Sequence, residues 1–94
     1  MVAPLTQPGP RPAEIRLLPQ EREGECRFEG QFVTTSHAME RFGQAIILAA
    51  LLVLRMRLQD GASLDYLQVF EIDGARLWII DDGAVTTALL PSDY

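Results

Sequence analysis

A chain of 94 residues holds one domain, because at that length it buries only about 60–65% of its extended surface and cannot divide this between two cores. With 48% hydrophobic residues it folds without covalent staples, and a single cysteine, Cys26, excludes an internal disulfide and points to a reducing compartment. Net charge is −5 and lysine is absent, so a basic, phosphate-binding surface of the nucleic-acid-binding type is disfavoured.

The charge is unevenly placed. Residues 1–57 hold six acids and seven arginines, whereas residues 58–94 hold seven acids and one arginine. The opening stretch carries neither a basic leader nor an apolar run of signal-peptide length, so a cytoplasmic location is expected. Pro4, Pro8, Pro10 and Pro12 predict a flexible, polyproline-like arm over residues 1–13, with a single α+β domain over residues 14–94. Glu14 to Leu18 alternates weakly before Pro19, and Arg27 to Thr34 alternates better, with Phe28 and Phe32 on one side. A hairpin between the two, across the Glu-rich loop from Gln20 to Glu25, is one arrangement open to them, a single N-terminal strand the other.

Thr35 and Ser36 offer N-cap hydroxyls, and no proline follows until Pro91, so one long helix is predicted, with Phe42 to Leu58 as its body. Ala45 to Leu54 is apolar around the whole axis. Ten residues are half of the roughly 20 a bilayer requires, so the run predicts a helix covered on more than one side and no membrane anchor. Gly61, after Gln59 and Asp60, is the expected stop.

Two Asp-Gly dipeptides, Asp73-Gly74 and Asp82-Gly83, each lie between β-rich runs, and Asp-Gly favours the type I′ hairpin because both central residues take positive φ. A three-stranded antiparallel meander is predicted from strands Leu64–Ile72, Ala75–Asp81 and Ala84–Leu90. The first two-residue loop places Ile72 opposite Ala75, Glu71 opposite Arg76, Phe70 opposite Leu77, Val69 opposite Trp78 and Leu67 opposite Ile80. One face then holds Tyr66, Phe70, Ile72, Leu77, Ile79, Ala88 and Leu90. The other holds Leu67, Val69, Trp78, Ile80, Val85 and Leu89. Both are apolar, and one helix covers one of them, so the second needs the N-terminal segment, another subunit or a partner.

In Leu64-Asp65-Tyr66-Leu67-Gln68-Val69-Phe70-Glu71, in Ile79-Ile80-Asp81-Asp82-Gly83 and in Leu89-Leu90-Pro91-Ser92-Asp93-Tyr94, the chain resembles a small uncharacterised family found mainly on plasmids, prophages and other mobile elements of Gram-positive bacteria. The resemblance extends back through Phe32-Val33-Thr34-Thr35, covering roughly residues 31–94. The proline arm and residues 14–30 lie outside it, and the first meander connection is shortened here to Asp73-Gly74. The family has no established activity, so it supplies no catalytic residues. It implies a setting: accessory genes of mobile elements, often inhibitors of host defence or small regulatory partners.

Strand polarity gathers Asp60, Asp65, Asp81 and Asp82 at one end of the sheet, near the negative end of the helix dipole. As turn and cap residues they would face water. As an acidic docking edge they would engage an arginine-rich or nucleic-acid-binding protein. A divalent-metal site is the third reading, and the spacing matches no calcium loop. Trp78 and Tyr66 are candidate interface anchors, with core packing as the plainer reading of Trp78, and Ile80 joins Trp78 among the candidate partner-binding residues. His37, after the cap, is expected to face solvent, and Cys26 to be at least half-buried. Nothing in their spacing argues for a nucleophilic pair.

These readings converge on a two-layer α+β domain: an N-terminal strand or hairpin, one long helix and the C-terminal meander. No enzyme activity, cofactor, metal, direct nucleic-acid contact or membrane contact is expected. The expected function is a non-enzymatic acidic protein-binding module. Its partner would be a nuclease or other nucleic-acid-processing protein of the host, inhibited in the anti-CRISPR or DNA-mimic manner, a Cas nuclease being one example. The alternative is a self-associating structural or regulatory domain, a homodimer that buries the spare sheet face against its own copy.

Overall fold

The computed structural model describes residues 13–94, so the arm expected over residues 1–13 lies outside the described residues except for Ala13, which packs against the core. In chain order the elements are β1 (Ile15–Leu17), β2 (Gln31–Thr34), α1 (Ser36–Phe42), α2 (Gln44–Gln59), β3 (Leu67–Ile72), β4 (Ala75–Asp81), β5 (Val85–Leu89) and a closing 3-10 turn, Pro91–Asp93. The class is α+β. The strands make one five-stranded mixed sheet in the order β1-β3-β4-β5-β2.

The meander is the middle of that sheet. β3 and β4 pair in the expected register, with Leu67 opposite Ile80, Val69 opposite Trp78, Phe70 opposite Leu77 and Glu71 opposite Arg76. At their turn Asp73 has φ 49° and Gly74 φ 82°, the two positive angles a type I′ turn requires. The second hairpin differs from expectation. Asp81 pairs with Thr86, and the Asp82 N–H bonds the Val85 carbonyl, which centres the loop on Gly83-Ala84. Glycine with φ 100° in the first central position suits a type II′ turn, and the Asp82 carboxylate accepts the Ala84 and Val85 N–H groups, so Asp82 closes the turn from outside. This slips the register by two residues, and an even slip leaves the β5 side chains on their expected faces, whereas Tyr66, expected beside Phe70, instead lines the grooves with Leu67 and Ile80.

The expected single helix is two. Gly43, at φ 82° and ψ 161°, occupies backbone space that essentially only glycine enters, and the chain turns by 100° there. Its N–H bonds the Met39 carbonyl and ends α1, and its carbonyl accepts the Ile47 N–H and starts α2. At the front of α1, Thr35 is the cap, its hydroxyl accepting the Ala38 N–H. Among the described residues no single helix is long and apolar enough to cross a membrane.

Of the two N-terminal arrangements expected, strand or hairpin, the hairpin is absent, because β1 and β2 lie on opposite edges of the sheet. β1 runs antiparallel to β3, and β2 runs parallel to β5. Each satisfies the free backbone edge of a meander strand, which a hairpin between them would have left unpaired. Residues 18–30 therefore form a strap across one end of the sheet. The Cys26 N–H donates to the Leu64 carbonyl at 3.0 Å, and the Gln20 side-chain amide to the Ser63 carbonyl at 2.7 Å. Gly30 passes so close to the second hairpin that a Cβ there would lie 2.4 Å from the Ala84 carbonyl oxygen.

Both helices lie on one face. Gln68, Phe70, Ile72, Leu77, Ile79, Asp81, Thr86 and Ala88 are buried there, together with Ile47, Ala50, Leu51 and Leu54 of α2, Ala38 of α1 and Phe28 of the strap. Full burial of each large apolar side chain in this set is worth about 1.5–3 kcal/mol. The amide of buried Gln68 donates to Gln20 Oε1 of the strap at 2.8 Å and to the Asp65 carbonyl, just before β3, at 2.9 Å.

Candidate functional site

The helices leave the opposite face of the sheet open. Leu67, Val69, Trp78, Ile80 and Val85 are half-buried there, whereas their neighbours on the helix side are almost fully enclosed. Trp78 meets the C-terminal Tyr94 edge-to-face, with ring centroids 5.6 Å apart and planes at 63°. Tyr66, 46% exposed, stands at the strap end of the sheet.

The four clustered acids have different settings. Asp81 is buried and points inward: Oδ2 accepts the Phe28 N–H at 2.9 Å and Oδ1 the Gly83 N–H at 2.8 Å. Its charge therefore ties the strap to the second hairpin, through charge-assisted hydrogen bonds that a neutral side chain would make more weakly. Asp82 closes its turn. Asp65 accepts the Tyr66 N–H and has Arg22 at 4.0 Å, a loose surface pair of small energetic weight. Asp60 is the C-cap of α2, exposed, with its backbone N–H on the last helical carbonyls. Arg55, from the same helix, donates to the Phe28 carbonyl at 3.4 Å, so it braces the strap and forms no ion pair with these acids.

Two grooves flank Tyr66. One, of about 620 Å³, is bounded by Ile80, Asp81, Asp82 and Gly83 of the hairpin and by Glu25, Cys26, Arg27, Glu29 and Gly30 of the strap. The other, of about 270 Å³, runs between Leu18, Pro19, Gln20 and Arg22 on one side and Asp65, Leu67, Val69 and Arg76 on the other. The structure thus joins Ile80, Asp81 and Asp82 in one groove and places Asp65 in its neighbour. Asp60 and Trp78 line neither. Glu25, Arg27 and Glu29 were missed by sequence reasoning, and the signal that marks them is the pair Gly24 and Gly30, which lets the strap approach the sheet closely.

Cys26 and His37 sit at opposite ends of β5. Beside the groove, burial and the nearby Asp81 and Asp65 carboxylates push the Cys26 thiol up, which keeps it protonated and weakly nucleophilic at neutral pH. At the far end, His37 Nδ1 lies 2.6 Å from Asp93 Oδ1, while Asp93 Oδ2 accepts from the Thr35 hydroxyl at 2.7 Å and the Leu90 N–H at 3.0 Å. The hydrogen bond and charge of Asp93 raise the His37 pKa. The hydrogen bonds from His37, Thr35 and Leu90 hold Asp93 below its ordinary range. This cluster clasps the C-terminal turn to the start of α1.

Among the described residues no three His, Cys, Asp or Glu side chains gather as a shell for a metal ion. The arrangement presents a shallow apolar sheet face, an aromatic divider, and grooves lined by carboxylates together with Arg22, Arg27 and Arg76. Comparison with known proteins matches the chain to no family model, no curated protein and no solved structure.

Proposed function

We propose that the protein is a non-enzymatic binding module that docks a basic protein partner on the open face of its sheet. The observation that carries this reading is the one-sided placement of α1 and α2, which leaves Leu67, Val69, Trp78 and Ile80 half-buried beside a groove in which Glu25, Glu29, Asp81 and Asp82 outnumber Arg27. Apolar anchors at the centre and charges at the rim supply affinity and steering respectively. With the −6 balance of residues 58–94, a nucleic-acid-processing protein of the host is the preferred partner, bound through its own phosphate-binding surface. The mobile-element resemblance adds inhibition of a defence nuclease, the anti-CRISPR or DNA-mimic role, as the setting. The hydrogen bonds narrow the candidate anchors. Asp81 is turned inward, so Asp65, Tyr66, Trp78, Ile80 and Asp82 are the residues proposed to meet a partner.

Capture from cell extract at low and at high salt tests the proposal. The expected result is retention of a basic nuclease or DNA-binding protein at low salt, lost at high salt and lost with Ile80→Asp. Failure to retain any such protein at low salt would overturn it.

A further inference from the structure

One position on the open sheet face is enclosed, and the chain itself supplies the cover. Alternation along β5 leaves Val85 and Thr87 half-buried and sets Thr86 and Ala88 under the helices, but Leu89, on the open side opposite Trp78, is only 6% exposed. The closing turn, Pro91–Asp93, lies against β4 there, and after it Tyr94 meets the Trp78 ring edge-to-face. This turn is lightly held. None of its three residues is buried, Tyr94 is 80% exposed, and a short 3-10 turn has little stability of its own. Among the described residues its side-chain hydrogen bonds to α1 and its cap all pass through Asp93, whose Oδ2 accepts from the Thr35 hydroxyl and whose Oδ1 meets His37. Leu90, half-buried against the core, is the last firm anchor before the turn. Beside it a hollow of about 460 Å³ is lined by His37, Glu40, Arg41, Leu90 and Ser92, so side-chain packing against α1 adds little.

We propose that residues 91–94 form a latch over the Trp78 end of the open sheet face, pivoting after Leu90 and fastened by the Asp93 carboxylate to Thr35 and His37. Closed, it occupies part of the surface assigned above to a partner. Open, it uncovers Leu89 and Trp78, which lie side by side across β4 and β5. Its role in recognition rests on that assignment, whereas the latch itself is a property of the chain alone. The fastening depends on charge. Protonated His37 pairs with Asp93, the nearby Glu40 carboxylate favours that positive charge, and Arg41, lining the same hollow, is the other cation there. Below the ordinary histidine value of 6.5 the ion pair is fully formed. As pH rises through the raised value His37 loses its charge, and the Thr35 hydroxyl remains as the tie to the start of α1. The open state therefore gains population on the alkaline side.

Trp78 is the only tryptophan, so its fluorescence reads the latch in the full chain. Acrylamide quenching of Trp78 is expected to rise about twofold in Asp93→Ala, with far-UV circular dichroism unchanged. In the wild type, quenching is expected to rise between about pH 5 and about pH 8.5, and in His37→Gln to stay constant across that range. The latch is overturned by quenching that Asp93→Ala leaves unchanged in a folded chain, or by an equal rise with pH in His37→Gln. If Asp93→Ala does not fold, the comparison of wild type with His37→Gln decides alone. Capture from cell extract at low salt separates the latch from the binding reading. A chain whose Trp78 opens but that retains no basic protein overturns the binding reading and keeps the latch, whereas equal retention by wild type and Asp93→Ala overturns the latch as a control on binding.

Discussion

Asp81 accepts the backbone N–H of Phe28 at 2.9 Å in the buried core, joining residues 53 apart in sequence, and this bond holds the strap across the end of the sheet. Phe28 is fully buried with φ 52°, an uncommon angle for a bulky side chain, so its conformation depends on what surrounds it. Asp81→Ala removes the acceptor of both the Phe28 and Gly83 N–H groups. The expected loss is about 2–3 kcal/mol, measured by urea unfolding, with hydrogen-exchange protection of the Phe28 amide falling first. Unchanged protection at Phe28 would show that the strap is held by its apolar side chain alone.

Opposite Asp81 across β4 and β5, the Thr86 side chain is fully buried, and among the described residues its hydroxyl makes no hydrogen bond. Burying an unpaired hydroxyl costs about 1–3 kcal/mol, and valine has nearly the same shape. Thr86→Val is therefore expected to raise stability by about 1 kcal/mol in the same urea experiment. A loss of stability would mean that the hydroxyl has a partner in solution.

At Gly43 a Cβ meets open space, so only the backbone angle resists substitution. Gly43→Ala is expected to cost about 1–3 kcal/mol through strain at the bend. Gly30→Ala drives a Cβ into the Ala84 carbonyl, has no room to relax and is expected to cost more. Thermal melts of the two variants rank them directly.

His37 and Asp93 make stability depend on pH at both ends. The raised His37 pKa stabilises the fold fully below its ordinary value of 6.5, and that contribution is lost as pH rises through the raised value. The lowered Asp93 pKa stabilises above its ordinary value of 3.8, and that contribution is lost as pH falls through the lowered value. The clasp is thus strongest between the two ordinary values. Melting temperature of the wild type relative to His37→Gln is expected to be greatest near pH 5 and to converge above neutrality. A difference that stays constant with pH would exclude the ionised pair.

Where the sequence was informative, the interactions are local. The β3–β4 register follows from Asp73-Gly74, since a two-residue turn leaves one pairing, and alternation then assigns each side chain to a face. Even the misplaced second turn kept those faces, because the slip was two residues. Thr35 was recognisable as a cap because its bond spans three residues. The helix break is present in the sequence only as Gly43, and an isolated glycine inside an apolar helical pattern carries no signal of whether it bends the chain or is merely tolerated.

Only tertiary structure decided the rest. Nothing in Glu14–Leu18 or Arg27–Thr34 says that they pair with β3 and β5 at opposite edges instead of with each other, because short strands take their partners from whichever backbone edge is left unsatisfied. The acid cluster has the same history. Composition and strand polarity placed Asp60, Asp65, Asp81 and Asp82 near one end, and the fold then turned Asp81 inward, set Asp82 on a turn and Asp60 on a helix end. By itself the sequence determined two apolar sheet faces and too little helix to cover both. Which face stayed open depended on the bend at Gly43 and the strap pinned by Asp81, contacts between residues far apart in the chain.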